Sequence, residues 1–460
     1  MLPTTPPVRL SRYAVSVLIP WALITPMQFG NSIAAFNQIS KVVQSDIPGM
    51  NVTWFSFVTS IFTIGGLLGS LFANQFLDRY GRRGATRLNA LLMVFGNVIL
   101  YFGNSAGVLA FGRFVNGVAA GVGLCTTPVF LDEISPPNIR GRVGVFNQIG
   151  VVFGILVTQG LGLYVAQLGR WREVPGFSAA LALAQLLLSR FVVDTPVWLR
   201  HSGRENEAHA VIARIWVKED EPRARLDPEA DSVVDRLLDE TEQSTIAPGA
   251  PEDPTHRQPP VSVVGALKAK DLRLPLAIVL WAMAAQQLCG INAVMYYSNE
   301  ILGRAVPDAV QWISLGVALV NALMTLPAVV LVEKMGRRNL LILSATGILA
   351  SLLVVAFGMD SNRPVASSVG VMVFVAAFAI GLGPVPFILI PEVAPYHGVS
   401  ALSSLALSIN WIINFFVGQL FLPLSKWLSD DRPDQAGRVF YLFAAVFFVS
   451  FVALLRVYKA

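Results

Sequence analysis

Residues Gln286–Ser298, QQLCGINAVMYYS, place three side-chain amides, a glycine and two tyrosine hydroxyls inside a long apolar stretch. Hydrocarbon offers such groups almost no hydrogen-bond partner, so each must face another helix or a wet cavity. At about 100° per residue, Gln286 and Asn292 point roughly 120° apart on a straight helix. They converge on one ligand only if the helix breaks, and Gly290 is where it can. A broken helix presenting amides at mid-membrane is how many carriers hold a polar substrate. The alternative is hydrogen-bonded glue between helices.

Other apolar stretches carry neutral polar groups at similar depth: Gln148, Asn321, Asn410 and Asn414, with Trp411 beside them and Tyr296 in the opening stretch. Amides both donate and accept, which suits a neutral ligand rich in hydroxyls, and aromatic faces suit the apolar side of a sugar ring. The candidate binding set is therefore Gln148, Gln286, Gln287, Asn292, Tyr296, Asn321, Asn410 and Trp411. No spaced set of His, Cys and carboxylates appears inside these stretches, and the four histidines form no ligand cluster. Bond-breaking chemistry is therefore not expected, nor is a metal or a cofactor.

The elements that must position these groups are membrane spans. The chain has 460 residues, of which 54% are apolar and only 14% charged. About twelve apolar runs of roughly 20 residues recur, each long enough for a hydrocarbon core of about 30 Å. This predicts an all-α membrane protein. The first run lacks a cleavable signal pattern and is expected to stay. Residues 1–12 read as a cytosolic tail, 13–193 as a six-helix bundle, 194–273 as a cytosolic linker, 274–457 as a second six-helix bundle and 458–460 as a short tail. Within the linker, Glu205 to Trp216 and Ser232 to Leu238 read as short helices, and Thr245 to Pro260 as disordered. Gly117, Gly121 and Gly123 have the spacing of a close helix contact. The net charge of +5 fits a positive-inside bias without a nucleic-acid role.

The end of the second span, DRYGRR (Asp78 to Arg83), recurs as EKMGRR (Glu333 to Arg338) after the eighth, and Glu133-Ile134-Ser135-Pro136 recurs as Glu392-Val393-Ala394-Pro395. The chain thus reads as two parallel six-span repeats. The glycines permit tight turns, and the carboxylate and arginine clusters can bridge helix ends. Pairing across the halves would hold the inner face shut. Arg113, in GRFVNG, is placed near a helix end, within reach of the interface. The prolines of GLGPVPF, Gly381 to Phe387, must kink the tenth span. Asn51-Val52-Thr53 matches a glycosylation acceptor.

Together MQFG, DRYGRR, GRFVNG, PVFLDEISPPNIRG, NQIGVVFGIL, QQLCGINAVMYYS, EKMGRR, GLGPVPF and NWIINF, in this order, resemble the sugar porter family of the major facilitator superfamily, within it the facilitative hexose transporters. The resemblance implies a twelve-helix, two-bundle fold with alternating access. It implies sugar contacts at Gln148, Gln286, Gln287, Asn292, Asn321, Asn410 and Trp411. It also implies cytosolic gate roles for Arg79, Arg82, Arg83, Arg113, Glu133, Arg140, Glu333, Arg337, Arg338 and Glu392. The chain departs from the family pattern at Ala379, at Phe387, at Val197 within VDTPVWL, and in lacking a PETKG motif after the last span. Family symporters carry an Asp in the first span where this chain has Ser32, which implies uncoupled transport. The expected cargo is a monosaccharide or polyol, the expected setting a lipid bilayer, the plasma membrane ahead of an endomembrane, and the expected unit a monomer. A proton-coupled symporter and a non-transporting nutrient sensor on the same fold are the alternatives.

Overall fold

The computed structural model describes residues 8–136, 139–167, 169–218, 263–303, 309–395, 398–430, 432 and 435–458. Ten helices among them are long and apolar enough to cross a bilayer. The longest, Val52–Phe102, is two crossings in one, because Gly81 takes φ 74° and ψ 175° in its interior. Without that reversal its 51 residues would extend about 75 Å, far beyond a bilayer. A π-helical turn, Ala14–Leu18, running into Ile19–Ala34 supplies one more crossing.

Twelve spans result. Span 1 is that composite helix, and spans 2 and 3 lie on either side of Gly81. Span 4 is Ala106–Ile134, span 5 Arg140–Val165 and span 6 Glu173–Leu188. Span 7 is split into Arg273–Leu288 and Ile291–Gly303. Span 8 is Val310–Met335 and span 9 Arg337–Asp360. Span 10 runs through Pro364–Ala377, a π-helical turn Phe378–Leu382, and Val385–Val393. Spans 11 and 12 are Val399–Ser429 and Arg438–Val457. With twelve crossings among the described residues, Val8 and Tyr458 lie on one side, here the tail face; the other is the far face.

Close helix contact in the N-terminal half depends on glycine. A Cβ on Gly117 would lie 2.0 Å from the Phe62 carbonyl oxygen, and one on Gly121 would lie 2.2 Å from that of Gly66. Spans 2 and 4 therefore meet backbone to backbone, as the small-residue spacing implied. Across the halves, span 2 packs along span 11, and span 5 along span 8.

The tail face holds one element the sequence did not suggest. Val8–Leu10 pairs antiparallel with Trp216–Lys218. The linker helix accordingly stops at Ile215, one residue before the expected Trp216, because the next backbone is extended to meet the strand. Trp216 is fully buried and donates its indole N–H to the Ile134 carbonyl at 2.8 Å. The Arg214 guanidinium sits 4.0 Å above the Tyr13 ring. The expected helix Ser232–Leu238 and the disordered stretch 245–260 lie outside the described residues.

Candidate functional site

Span 7 breaks where the glycine allowed it. Gly290 takes φ +87°, a conformation that disfavours any Cβ, and the helix resumes at Ile291. The break brings Asn292 back onto its neighbour: its Nδ2 donates to Gln287 Oε1 at 2.5 Å. Gln287 Nε2 and Asn292 Oδ1 have no further protein partner among the described residues, so this pair retains one donor group and one acceptor for a ligand.

Gln286 faces elsewhere. Its Nε2 donates to the carbonyls of Leu382 and Gly383 in span 10, at 3.0 and 2.7 Å, and its Oε1 accepts from Asn410 Nδ2 in span 11 at 2.7 Å. Proline explains the arrangement: the helical donor to the Leu382 carbonyl would be residue 386, and Pro386 has no N–H. Gln286 thus satisfies a carbonyl that the chain itself leaves unpaired. Tyr296 is also engaged, its buried hydroxyl donating to Asn414 Oδ1 at 3.2 Å. The Trp411 ring packs against Phe29 and Phe62 of the other half, with centroids 6.1 and 6.2 Å away. Gln148 is exposed and Asn321 buried, and neither makes a protein hydrogen bond among the described residues. The structure therefore joins Gln286 to Asn410 and Gln287 to Asn292, and leaves Gln148 and Asn321 unengaged.

The far face is closed by side chains that the sequence reading passed over. Asn37 Nδ2 donates to Ser298 Oγ at 2.6 Å, and its Oδ1 accepts from the Asn299 backbone N–H at 3.1 Å. Asn299 Nδ2 donates to Gln38 Oε1 at 2.9 Å, and Gln44 Nε2 donates to Glu300 Oε1 at 3.0 Å. All four bonds cross between the halves. Their only sequence signal was a run of amides just after an apolar span, beside the polar end of the opening stretch.

At the tail face two of the expected carboxylate–arginine pairs form among the described residues, and each lies inside one half. Arg82 pairs with Glu133 at 2.6 Å and Arg337 with Glu392 at 2.6 Å, each within its own half. The reason is local: the turns at Gly81 and Gly336, both at positive φ, set each arginine at the start of spans 3 and 9, beside the end of span 4 or 10. Glu133 Oε2 also accepts from Thr195 Oγ1. Asp194 Oδ1 accepts from the backbone N–H groups of Arg82 and Arg83 at 3.0 and 3.2 Å. Burial pushes the Asp194 carboxyl above its ordinary range, opposed by those backbone bonds. Asp194 and Thr195 belong to VDTPVWL, whose Val197 is buried and apolar; the contacts come from the residues before it.

The remaining gate candidates divide. Arg83 Nε donates to the Ser189 carbonyl at 3.0 Å. Arg79 is exposed over the Tyr80 ring at 5.5 Å, and Arg338 is exposed. Arg140 opens span 5 and Glu333 lies near the end of span 8, and their side chains are outside the described set. Arg113 is a correction: it is neither at the interface nor at the tail face. It is 1% exposed and lies about 30 Å along span 4 from Glu133, at 1.5 Å per residue. Its Nη1 and Nη2 donate to the carbonyls of Ser32 and Thr59 at 2.7 and 3.1 Å, and its guanidinium lies 4.6 Å from the Phe62 centroid. The cost of burying the cation is lowered by carbonyls and aromatic faces instead of by reaching water. Asn51 caps span 2, its Oδ1 accepting from the Trp54 N–H at 2.8 Å.

A sequence model of the family described as sugar (and other) transporter matches residues 21–459. The chain belongs to that family. Among relatives in this transporter family, a probable metabolite transport protein of Saccharomyces cerevisiae is 31% identical over 85% of this chain and 77% of its own. The facilitated glucose transporter member 3 of Ovis aries is 30% identical over 95% and 88%. Solved structures give the same fold. The xylose transporter XylE of E. coli, in a partially occluded inward open conformation, superposes with a TM-score of 0.77 at 20% identity, covering 96% of this chain and 98% of that one. The same symporter bound to 6-bromo-6-deoxy-D-glucose superposes with a TM-score of 0.73 at 20% identity, covering 96% and 95%. As a family member this protein is a multi-pass membrane carrier and not an enzyme.

Proposed function

We propose that the protein moves a monosaccharide or polyol across its membrane by alternating access, and that it equilibrates this cargo without protons. The glucose transporters among its relatives, and the sugar-bound xylose symporter of the same fold, support the cargo class. The two half-satisfied amides at the span 7 break, with Gln148 and Asn321 unengaged nearby in sequence depth, form the contact set. Residues 13–193 and 274–457 are the two bodies that rock, the tail face is cytosolic, the membrane is the plasma membrane, and one chain suffices.

The observation that carries the uncoupled reading is Arg113. A proton-coupled site needs a carboxylate whose charge changes during the cycle. Around Arg113 the partners are the Ser32 and Thr59 carbonyls and the Phe36 and Phe62 rings, and among the described residues it forms no ion pair. Ser32 has no proton to exchange near neutral pH. The test is uptake of labelled hexoses, pentoses and polyols into sealed proteoliposomes, with and without an imposed pH gradient. Equilibration without accumulation is the expected outcome. Accumulation that a protonophore releases would overturn the uncoupled reading, and no uptake of any sugar would overturn the carrier reading.

A further inference from the structure

Span 10 is interrupted by the π-helical turn Phe378–Leu382, in which the Gly383 N–H bonds to the Phe378 carbonyl at 2.8 Å. One position earlier, a side chain from span 9 reaches into the same turn. Ser344, buried in span 9, donates its hydroxyl to the Ala377 carbonyl at 2.7 Å and accepts the Leu382 N–H at 2.9 Å. The hydroxyl thus ties a carbonyl at the start of the turn and an N–H at its end to span 9. A π turn is one of the few physical causes of a sharp helix bend.

Two further features make the insertion specific. Gly381 lets span 9 approach, since a Cβ there would lie 2.6 Å from Ser344 Cβ and 2.7 Å from the Leu340 carbonyl. On another side of the interruption, Gln286 holds the Leu382 and Gly383 carbonyls. Every backbone group opened by the π turn and by Pro386 that these bonds reach is thus satisfied from spans 7 and 9. Beyond the interruption, Val385–Val393 leads to Glu392 and its partner Arg337.

We propose that Ser344 is a positioning residue for transport: its hydroxyl pins the bend in span 10, and the cycle works by bending and straightening there. The inference rests on the carrier reading above. Without the hydroxyl, the Ala377 carbonyl and Leu382 N–H lose their partner in span 9, and the π turn is free to rewind into regular α-helix, which straightens the span and moves Glu392. Ser344 does not contact the candidate cargo amides, so its loss acts on the conformational step and not on binding.

The experiment measures transport kinetics of Ser344→Ala, Ser344→Thr and Gly381→Ala in proteoliposomes, with amide hydrogen exchange over residues 374–390. Ser344→Ala should lower kcat about fivefold or more while KM stays within about twofold, the pattern of a lost step after binding. Exchange in the span 10 segment should change in the same variant. Ser344→Thr keeps the hydroxyl and should recover most of the turnover, and Gly381→Ala should reproduce the alanine variant by pushing span 9 away. Unchanged kcat in Ser344→Ala overturns the proposal, as does a proportional change in KM, or a threonine variant as slow as the alanine one. The exchange measurement needs no cargo. A wild-type protein that moves no sugar therefore defeats the carrier reading alone, while unaltered exchange in Ser344→Ala defeats the pin alone.

Discussion

Glu133 and Glu392 hold matching places at the ends of spans 4 and 10, yet their surroundings differ. The Glu133 side chain is 0% exposed and its Arg82 partner 12%, whereas the second pair is 36% and 33% exposed. Removing one partner of a buried pair leaves an uncompensated charge and costs about 3 to 5 kcal/mol. A solvent-exposed pair is worth about 1 kcal/mol or less. Arg82→Met should therefore lower the unfolding midpoint markedly and Arg337→Met only slightly; thermal unfolding in detergent checks it, and equal shifts would count against the assignment. For cargo, Gln287→Ala should weaken sugar binding by about 1 to 3 kcal/mol, since it removes one donor and unpairs Asn292; titration of purified protein reads it. That these amides matter was legible from their type and setting. What the sequence could not show was which amide would be occupied: Gln286 and Gln287 are adjacent and chemically identical, and only the geometry around Pro386, in another span, separates their roles. Arg113 was misplaced because closeness to a helix end in sequence suggested water, while Phe36 and Phe62 supplied a nearer solution.

At the scale of elements, the interruptions were the most legible features. Gly290 stood among amides that cannot face lipid, and Pro384 and Pro386 each lack a helical donor, so breaks in spans 7 and 10 followed from local chemistry. The strand Val8–Leu10 was not legible, because three residues carry no period and their partner lies about two hundred residues away. Nor was Ser344, since a lone serine in an apolar helix reads as a residue bonding its own backbone until a neighbouring helix is seen to be opened beside it. The break at span 7 makes its own prediction. Gly290 is at φ +87°, and a Cβ there would also meet the Phe443 ring at 3.0 Å. A left-handed L-residue costs roughly 1 to 2 kcal/mol, so Gly290→Ala should lower stability by at least that much. Because the strain sits between Gln287 and Asn292, it should also weaken sugar binding. Unfolding and binding measured on the same sample check both, and wild-type values for both would show that the break tolerates a side chain.

For the whole molecule, the bonds that join the halves decide which face is open. Asn37 and Asn299 make three of the inter-half bonds at the far face, all of which must break for that face to part. Two of them, to Ser298 Oγ and to the Asn299 backbone N–H, belong to Asn37. A net contribution of about 0.5 to 1.5 kcal/mol per hydrogen bond makes Asn37→Ala worth a shift of roughly 5- to 150-fold in the equilibrium between the two faces, provided the open state leaves those groups in water. The cleft just outside this contact is lined by Ser45 from one half and Trp427 from the other. Both side chains are exposed, so spin labels at positions 45 and 427 report the separation directly. In the parent the distance distribution should be dominated by the short, closed separation. Asn37→Ala should raise a longer-distance population, and Asn299→Ala should do the same through its bond to Gln38 Oε1. Since the tail-face pairs Arg82–Glu133 and Arg337–Glu392 each stay inside one half, removing either arginine should leave this distribution nearly unchanged. A distribution that responds to the arginines and not to Asn37 would place control of the cycle at the tail face instead.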